Sequence, residues 1–184
     1  PYGMNLDLSP ISKDNIKQGR AKTRTYEKII GDDKPFNLIP FLRFAKRLVF
    51  GFPYIYDEYA TGWIVWDKQP KIEERYFMTP VEMASTTLRK GFDIIRVMWS
   101  GFLRDSETIE KRLEHPTQKP VKLFHRLIEK YTKENDIIFD PFLGSGTTAR
   151  ACKDLGRKCI GIEISQKYCD MAIKRLAQEV FNFD

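Results

Sequence analysis

The stretch Asp136-Ile137-Ile138-Phe139-Asp140-Pro141-Phe142-Leu143-Gly144-Ser145-Gly146-Thr147-Thr148-Ala149 constrains this chain more than any other. Its first half is a short apolar run, the pattern of a buried strand. The run ends in an acid and a proline, passes through two glycines one residue apart, and continues into helix formers. That is a strand, a glycine-rich turn and a helix. Gly144, Gly146 and Ala149 keep the G-x-G-x-x-G/A spacing. Glycine lets backbone approach a ligand closely, and a helix start offers free N–H groups. A second apolar run, Lys158 to Ile164, follows after one helix length and carries Glu163. An acid there can accept hydrogen bonds from ribose hydroxyls. The module is therefore expected to hold an adenosine-containing ligand.

Around this centre the chain reads as alternating strands and helices. Leu48 to Phe52, Gly62 to Trp66 and Phe92 to Trp99 have the apolar density of strands. Pro35 to Arg47 is dense in apolar residues at roughly helical spacing. Val121, Leu123, Phe124, Leu127, Ile128 and Tyr131 recur at helical spacing behind Pro120, which suits a first turn. Thr147 to Leu155 is a short helix ended by Gly156, and a final amphipathic helix follows Ser165. This alternation predicts an α/β fold with a largely parallel sheet and helices on both faces, its ligand beyond the carboxyl ends of the strands. At 184 residues with 42% apolar content, one domain with a buried core is expected.

Charge and cysteine usage narrow the function classes. A net charge of +6 permits a polyanion partner. Three cysteines without a C-x-x-C pair and two histidines argue against a zinc site or a disulfide framework, and reduced thiols fit a cytoplasmic protein. No apolar run approaches membrane-spanning length. Between Ile11 and Lys28, the cations Lys13, Lys17, Arg20, Lys22, Arg24 and Lys28 face only two acids, Asp14 and Glu27. Lys17, Arg20, Lys22 and Arg24 are candidates for phosphate contact; a solvated basic loop is the plain alternative.

Three motifs carry a family resemblance. Asp140-Pro141-Phe142-Leu143-Gly144-Ser145-Gly146-Thr147-Thr148 resembles the S-adenosylmethionine motif of the amino-methylating DNA methyltransferases. His115-Pro116-Thr117-Gln118-Lys119-Pro120 resembles their companion cofactor motif. The opening Pro1-Tyr2-Gly3 resembles the end of their Asp-Pro-Pro-Tyr catalytic motif. The order, catalytic motif first and cofactor motifs last, matches the permuted group called beta class, and phage-encoded members look most alike.

The resemblance implies a Rossmann-like methyltransferase fold with permuted motifs: residues 1–68 as a catalytic half, 69–114 as a target-recognition region and 115–184 as a cofactor half. It implies S-adenosylmethionine as cofactor and no metal. It implies double-stranded DNA with an extruded base as substrate, in a bacterial or phage cytoplasm. Members of the family often form dimers, although no interface signature stands out here. Pro1 and Tyr2 are the implied catalytic residues, with Tyr2 stacking on the base. Thr117 and Lys119 are implied to close the cofactor pocket. Asp140, Pro141, Phe142, Gly144, Ser145, Gly146 and Thr147 are implied to line it, Asp140 at the methionine end, with Glu163 on the ribose. Adenine N6 is the first choice of acceptor and cytosine N4 the second. The acid of the catalytic motif falls outside the 184 residues, so turnover by this chain alone is not expected.

Other readings compete. A nicotinamide dehydrogenase shares the glycine spacing and the acid, but leaves His115 to Pro120 unexplained and would continue with more strands. A truncated, non-catalytic binder of cofactor or DNA, or an RNA methyltransferase of the same architecture, also stays open.

Overall fold

The computed structural model describes residues 29–55, 57–69, 79–100, 103–104 and 115–177. Pro1, Tyr2, Lys17, Arg20, Lys22 and Arg24 lie outside the described residues. The described residues form eight strands: β1 Leu48–Phe52, β2 Gly62–Asp67, β3 Val81–Thr86, β4 Gly91–Arg96, β5 Trp99–Ser100, β6 Leu103–Arg104, β7 Ile137–Asp140 and β8 Lys158–Gly161. Three α-helices accompany them: α1 Val121–Tyr131, α2 Thr147–Asp154 and α3 Gln166–Ala177. No helix among them is long and apolar enough to cross a membrane.

The α/β alternation is present, but the larger sheet is mixed rather than largely parallel. Its order is β1-β3-β2-β4. β3 runs antiparallel to both neighbours, and only β2 and β4 pair in parallel. β7 and β8 form a separate parallel pair with Ile137 opposite Lys158 and Asp140 opposite Gly161. Sequence periodicity did not reveal β3, because half of it is polar. Its Ser85 and Thr86 are buried, and the Thr86 hydroxyl is satisfied by the Arg47 carbonyl at 2.8 Å. Hydroxyls bonded in this way can sit inside a sheet without an unpaired donor.

One face of the four-stranded sheet buries Ile64, Trp66, Ala84 and Ile95 against Leu123 and Leu127 of α1. Trp66 is sealed by its indole N–H, which donates to the Val97 carbonyl at 3.0 Å. A fully buried side chain of this kind contributes about 2 kcal/mol. α1 uses Ile128 to pack on Ala151 and Cys152 of α2, and Phe124 touches both clusters. α1 is therefore the layer between the sheet and the β7–α2–β8 unit. The opposite sheet face is less covered among the described residues: Phe92 and Ile94 are 66% and 50% exposed. Helices on both faces are thus only partly realised.

Pro35 to Arg47 corrects the helical expectation. Only a 3-10 turn, Ile39–Phe41, forms there. Pro40 removes a donor from the middle of the run, and Asn37 Oδ1 takes the Ile39 amide at 3.0 Å. The phenylalanines of this segment serve ring contacts instead of a helix stripe. Phe36 and Phe41 meet Phe142 at 5.4 and 5.7 Å, and Phe44 meets Phe139 at 5.3 Å. Arg47 closes the segment with its guanidinium on buried Asp57 at 3.0 Å.

Candidate functional site

The site grows from the β7–α2 turn. Strand β7 delivers Asp140, whose Oδ1 accepts the Phe142 amide at 3.0 Å while Oδ2 accepts the Thr148 hydroxyl at 2.5 Å. The acid ties the turn back onto the first turn of α2, so its carboxylate serves the chain's own backbone. Gly144 and Gly146 have φ of 55° and 79°, left-handed values that favour glycine. Sterics impose the same choice. A Cβ on Gly144 would lie 2.9 Å from His115 Nε2, and one on Gly146 would lie 2.7 Å from Ala172 Cβ. Gly161 on β8 is pressed in the same way by Leu143, at 2.7 Å. The turn is a narrow cradle whose walls are His115, Ala172 and Leu143.

Glu163 lies across this cradle. Its Oε2 accepts the Gly144 amide at 2.8 Å and its Oε1 accepts the Ser165 amide at 2.8 Å. A carboxylate has about four acceptor positions, so capacity remains for donors from a ligand. His115 stands beneath, 4.5 Å from the Tyr168 ring. Burial pulls its imidazole down to about 4, with Glu163 opposing the shift. It is therefore neutral at pH 7. Its Nδ1 is buried without a partner among the described residues.

A buried hydroxyl organises the start of α2. Thr147 Oγ1 donates to the Lys119 carbonyl at 3.1 Å and accepts from Arg175 Nη1 at 2.6 Å. One threonine thus joins the turn before α1, the first turn of α2 and the body of α3. Ser145 is buried beside it, 3.5 Å away hydroxyl to hydroxyl.

The structure brings Asp140, Pro141, Phe142, Gly144, Ser145, Gly146, Thr147 and Glu163 into one turn-and-strand unit. Thr117 is exposed in the adjoining turn. Lys119 contributes its backbone to that unit, but its side chain leaves for the sheet. Its ammonium sits 3.3 Å from Glu82 Oε2 and 4.9 Å over the Phe50 ring. Lys68 holds Glu82 Oε1 at 3.2 Å. Burial would raise the Glu82 carboxyl, but the Lys119 and Lys68 ammonium groups outweigh it and hold it below the usual carboxylate value. His115, Glu82 and Arg175 are the residues sequence reasoning left unassigned. His115 stood inside the quoted motif and was signalled. Glu82 had no local signal, since its partners lie 14 and 37 positions away.

The sequence around this site has relatives. The family model described as DNA methylase (N6_N4_Mtase) matches residues 57–174, more than half of the chain. The chain belongs to this DNA methylase family. Among its curated relatives, the Type II methyltransferase M2.DpnII of Streptococcus pneumoniae is 38% identical over 125 residues, covering 67% of this chain and 45% of the relative. The Type II methyltransferase M.HpaI of Haemophilus parainfluenzae is 48% identical over 75 residues, covering 41% of this chain and 24% of the relative. The chain spans less than half the length of both relatives. The crystal structure of an M1.HpyAVI–SAM complex aligns at 34% identity with a TM-score of 0.45, covering 63% of this chain and 61% of the other. For a DNA methylase of this family, the matched region includes the glycine cradle, Glu163, His115 and the Lys68–Glu82–Lys119 cluster.

Proposed function

We propose that this chain carries the cofactor-binding part of an enzyme that methylates an exocyclic amino group in double-stranded DNA, using S-adenosylmethionine, in a bacterial or phage cytoplasm. Adenine N6 is the preferred acceptor and cytosine N4 the alternative. The observation that carries the reading is the glycine cradle closed by Glu163. Two left-handed glycines, each with a neighbouring side chain within 3 Å of where a Cβ would stand, shape a tight buried turn at the carboxyl end of a parallel strand pair, where ligands of such sheets bind. The orphaned, neutral Nδ1 of His115 and the spare lone pairs of Glu163 suit a ligand with hydroxyl and amino donors.

When bound, S-adenosylmethionine supplies an electrophilic methyl on a sulfonium, a leaving group that needs no metal. This chain's residues supply position. Glu163 takes the ribose hydroxyls, and Gly144 and Gly146 admit the ligand close to backbone. Phe142, 46% exposed, offers an apolar face beside the cradle. Asp140 and Thr147 act at one remove by fixing the turn. Pro1 and Tyr2 are proposed for the acceptor side, the proline carbonyl accepting from the amino protons and the tyrosine stacking on the extruded base.

The test is calorimetric titration of the 184-residue chain with S-adenosylmethionine and, separately, with NAD. Saturable binding of S-adenosylmethionine alone is expected; binding of NAD alone would overturn the reading. Methyl transfer to DNA is then measured with a protein extended upstream of Pro1, comparing adenine and cytosine products. Tyr2→Ala in that protein is expected to spare cofactor binding and lower turnover.

A further inference from the structure

We infer that the segment from Lys34 to Lys46 is a DNA-backbone contact surface, seating phosphates of the substrate strand beside the cofactor turn. The inference rests on the methyltransferase reading and adds where the polyanion docks. Three observations converge on the segment. First, it packs onto the cofactor unit, through Phe36 and Phe41 on Phe142 and through Phe44 on Phe139 of β7. Anything that docks on it therefore stands next to the glycine cradle. Second, it carries exposed cations, Lys34, Arg43 and Lys46. Among the described residues none of these three has an ion pair. The next cation, Arg47, just past the segment, is taken up by Asp57. Third, Arg43 is held in place, with its guanidinium carbon 5.2 Å over the Phe44 ring.

Charge complementarity selects the occupant. Among the described residues the exposed acids nearest in sequence are Asp33 and Glu58, which leaves cations in excess. Cations interleaved with aromatic rings are the pattern that nucleic-acid surfaces share. A guanidinium stacked on a ring keeps its N–H edge directed outward, the edge that matches a phosphate. The 3-10 turn adds a reason for the local fold. A helix over Pro35 to Arg47 would spend the phenylalanines on its own stripe, whereas the irregular path lets them grip Phe142 and Phe139.

The experiment is fluorescence anisotropy of the 184-residue chain with a labelled duplex of about 20 base pairs, titrated from about 50 to 200 mM salt. The variants are Arg43→Gln/Lys46→Gln and, as a control of equal charge change, Lys158→Gln/Lys174→Gln on β8 and α3. Calorimetry with S-adenosylmethionine accompanies each. The first double variant is expected to bind DNA about tenfold more weakly, with the logarithmic salt slope reduced by about 2, one per lost phosphate contact. Its cofactor affinity is expected to stay within about twofold of wild type, since neither residue touches the cradle. The control is expected to keep the wild-type slope. Equal loss in both double variants, or no loss in the first, would overturn the surface while leaving the methyltransferase reading intact. A wild-type chain that binds cofactor but no DNA would overturn the surface alone. A chain that binds neither would overturn both.

Discussion

The Gly144 amide and the Glu163 carboxylate meet at 2.8 Å, and the same carboxylate takes the Ser165 amide on its other oxygen. Glu163 is thus a clasp between the β7–α2 turn and the chain entering α3. Replacing it with alanine leaves two amides without this acceptor. Glu163→Ala is expected to cost about 2 kcal/mol in a denaturant melt and to weaken S-adenosylmethionine binding about tenfold or more. Glu163→Gln retains one acceptor oxygen and should fall between. A Glu163→Ala protein with wild-type melting and wild-type cofactor affinity would show that the clasp is idle.

Gly144 is fixed by a side chain as well as by its φ. The built Cβ meets His115 Nε2 at 2.9 Å. Gly144→Ala is expected to destabilise by about 2 kcal/mol, from left-handed strain plus the forced movement of a buried ring. The pairing predicts partial compensation. In Gly144→Ala/His115→Ala the clash is gone and only the strain remains, so the two losses should be less than additive. Strict additivity would place the strain elsewhere.

His115 gives the fold an acid sensitivity with a defined sign. Its pKa is about 4 folded and near 6.5 unfolded. Between those values the unfolded chain binds the extra proton, so the contribution is fully present above pH 6.5 and is lost as pH falls toward 4. The integrated loss is about 3 kcal/mol. Glu82 and Asp93 have lowered values, so their contributions begin to be lost only as pH falls into the ordinary carboxylate range, at the bottom of this window and below it. Stability measured from pH 7.5 to 4.5 should therefore fall less steeply in His115→Gln than in wild type. Parallel curves would mean that the ring is already solvated in the folded state.

Glu82 ties together β2, β3 and the turn before α1 through Lys68 and Lys119. Glu82→Gln leaves two largely enclosed lysine side chains facing a neutral amide. With Glu82 side-chain exposure at 37%, the cost is expected near 1 kcal/mol, well below that of a fully buried pair. Because the Lys119 carbonyl holds Thr147, the variant should also raise the Kd for S-adenosylmethionine, by about threefold, although Glu82 itself lies on the sheet. Thermal shift and calorimetry on one protein separate the two effects, and Glu82→Asp should recover part of each.

The legible parts of the sequence were those whose partners are near in the chain. β7, its glycine turn, α2 and β8 lie within a short span, so apolar runs and turn residues announced them, Gly144 and Gly146 included. α1 was legible from its stripe of Leu123, Leu127 and Ile128. β3 was hidden because Glu82 and Thr86 are satisfied by Lys68, Lys119 and Arg47, contacts that no local window contains. The Phe36–Phe44 segment misled for a related reason. Its apolar spacing matched a helix, while the rings were committed to Phe139 and Phe142 about a hundred positions away. Lys119 was read as closing the cofactor pocket; its carbonyl meets Thr147 in the glycine turn, while its side chain follows a carboxylate that sequence spacing could not supply.

The insertion of β3 between β1 and β2 sets an assembly order. β1 and β2 are successive in the chain but never touch as a pair; among the described strands β1 finds its ladder only on β3, whereas β2 pairs with both β3 and β4. β2 closes onto the next strand, β3, with Asp67 opposite Val81 across 14 positions, whereas closing Leu48 of β1 onto Thr86 loops the chain across 38. The β7–α2–β8 unit closes Ile137 onto Lys158 across 21. Shorter loops form faster. The β2–β3 ladder and the β7–α2–β8 unit are therefore the parts of this molecule able to take shape first, and β1 is the late piece, which waits for β3 to be in place.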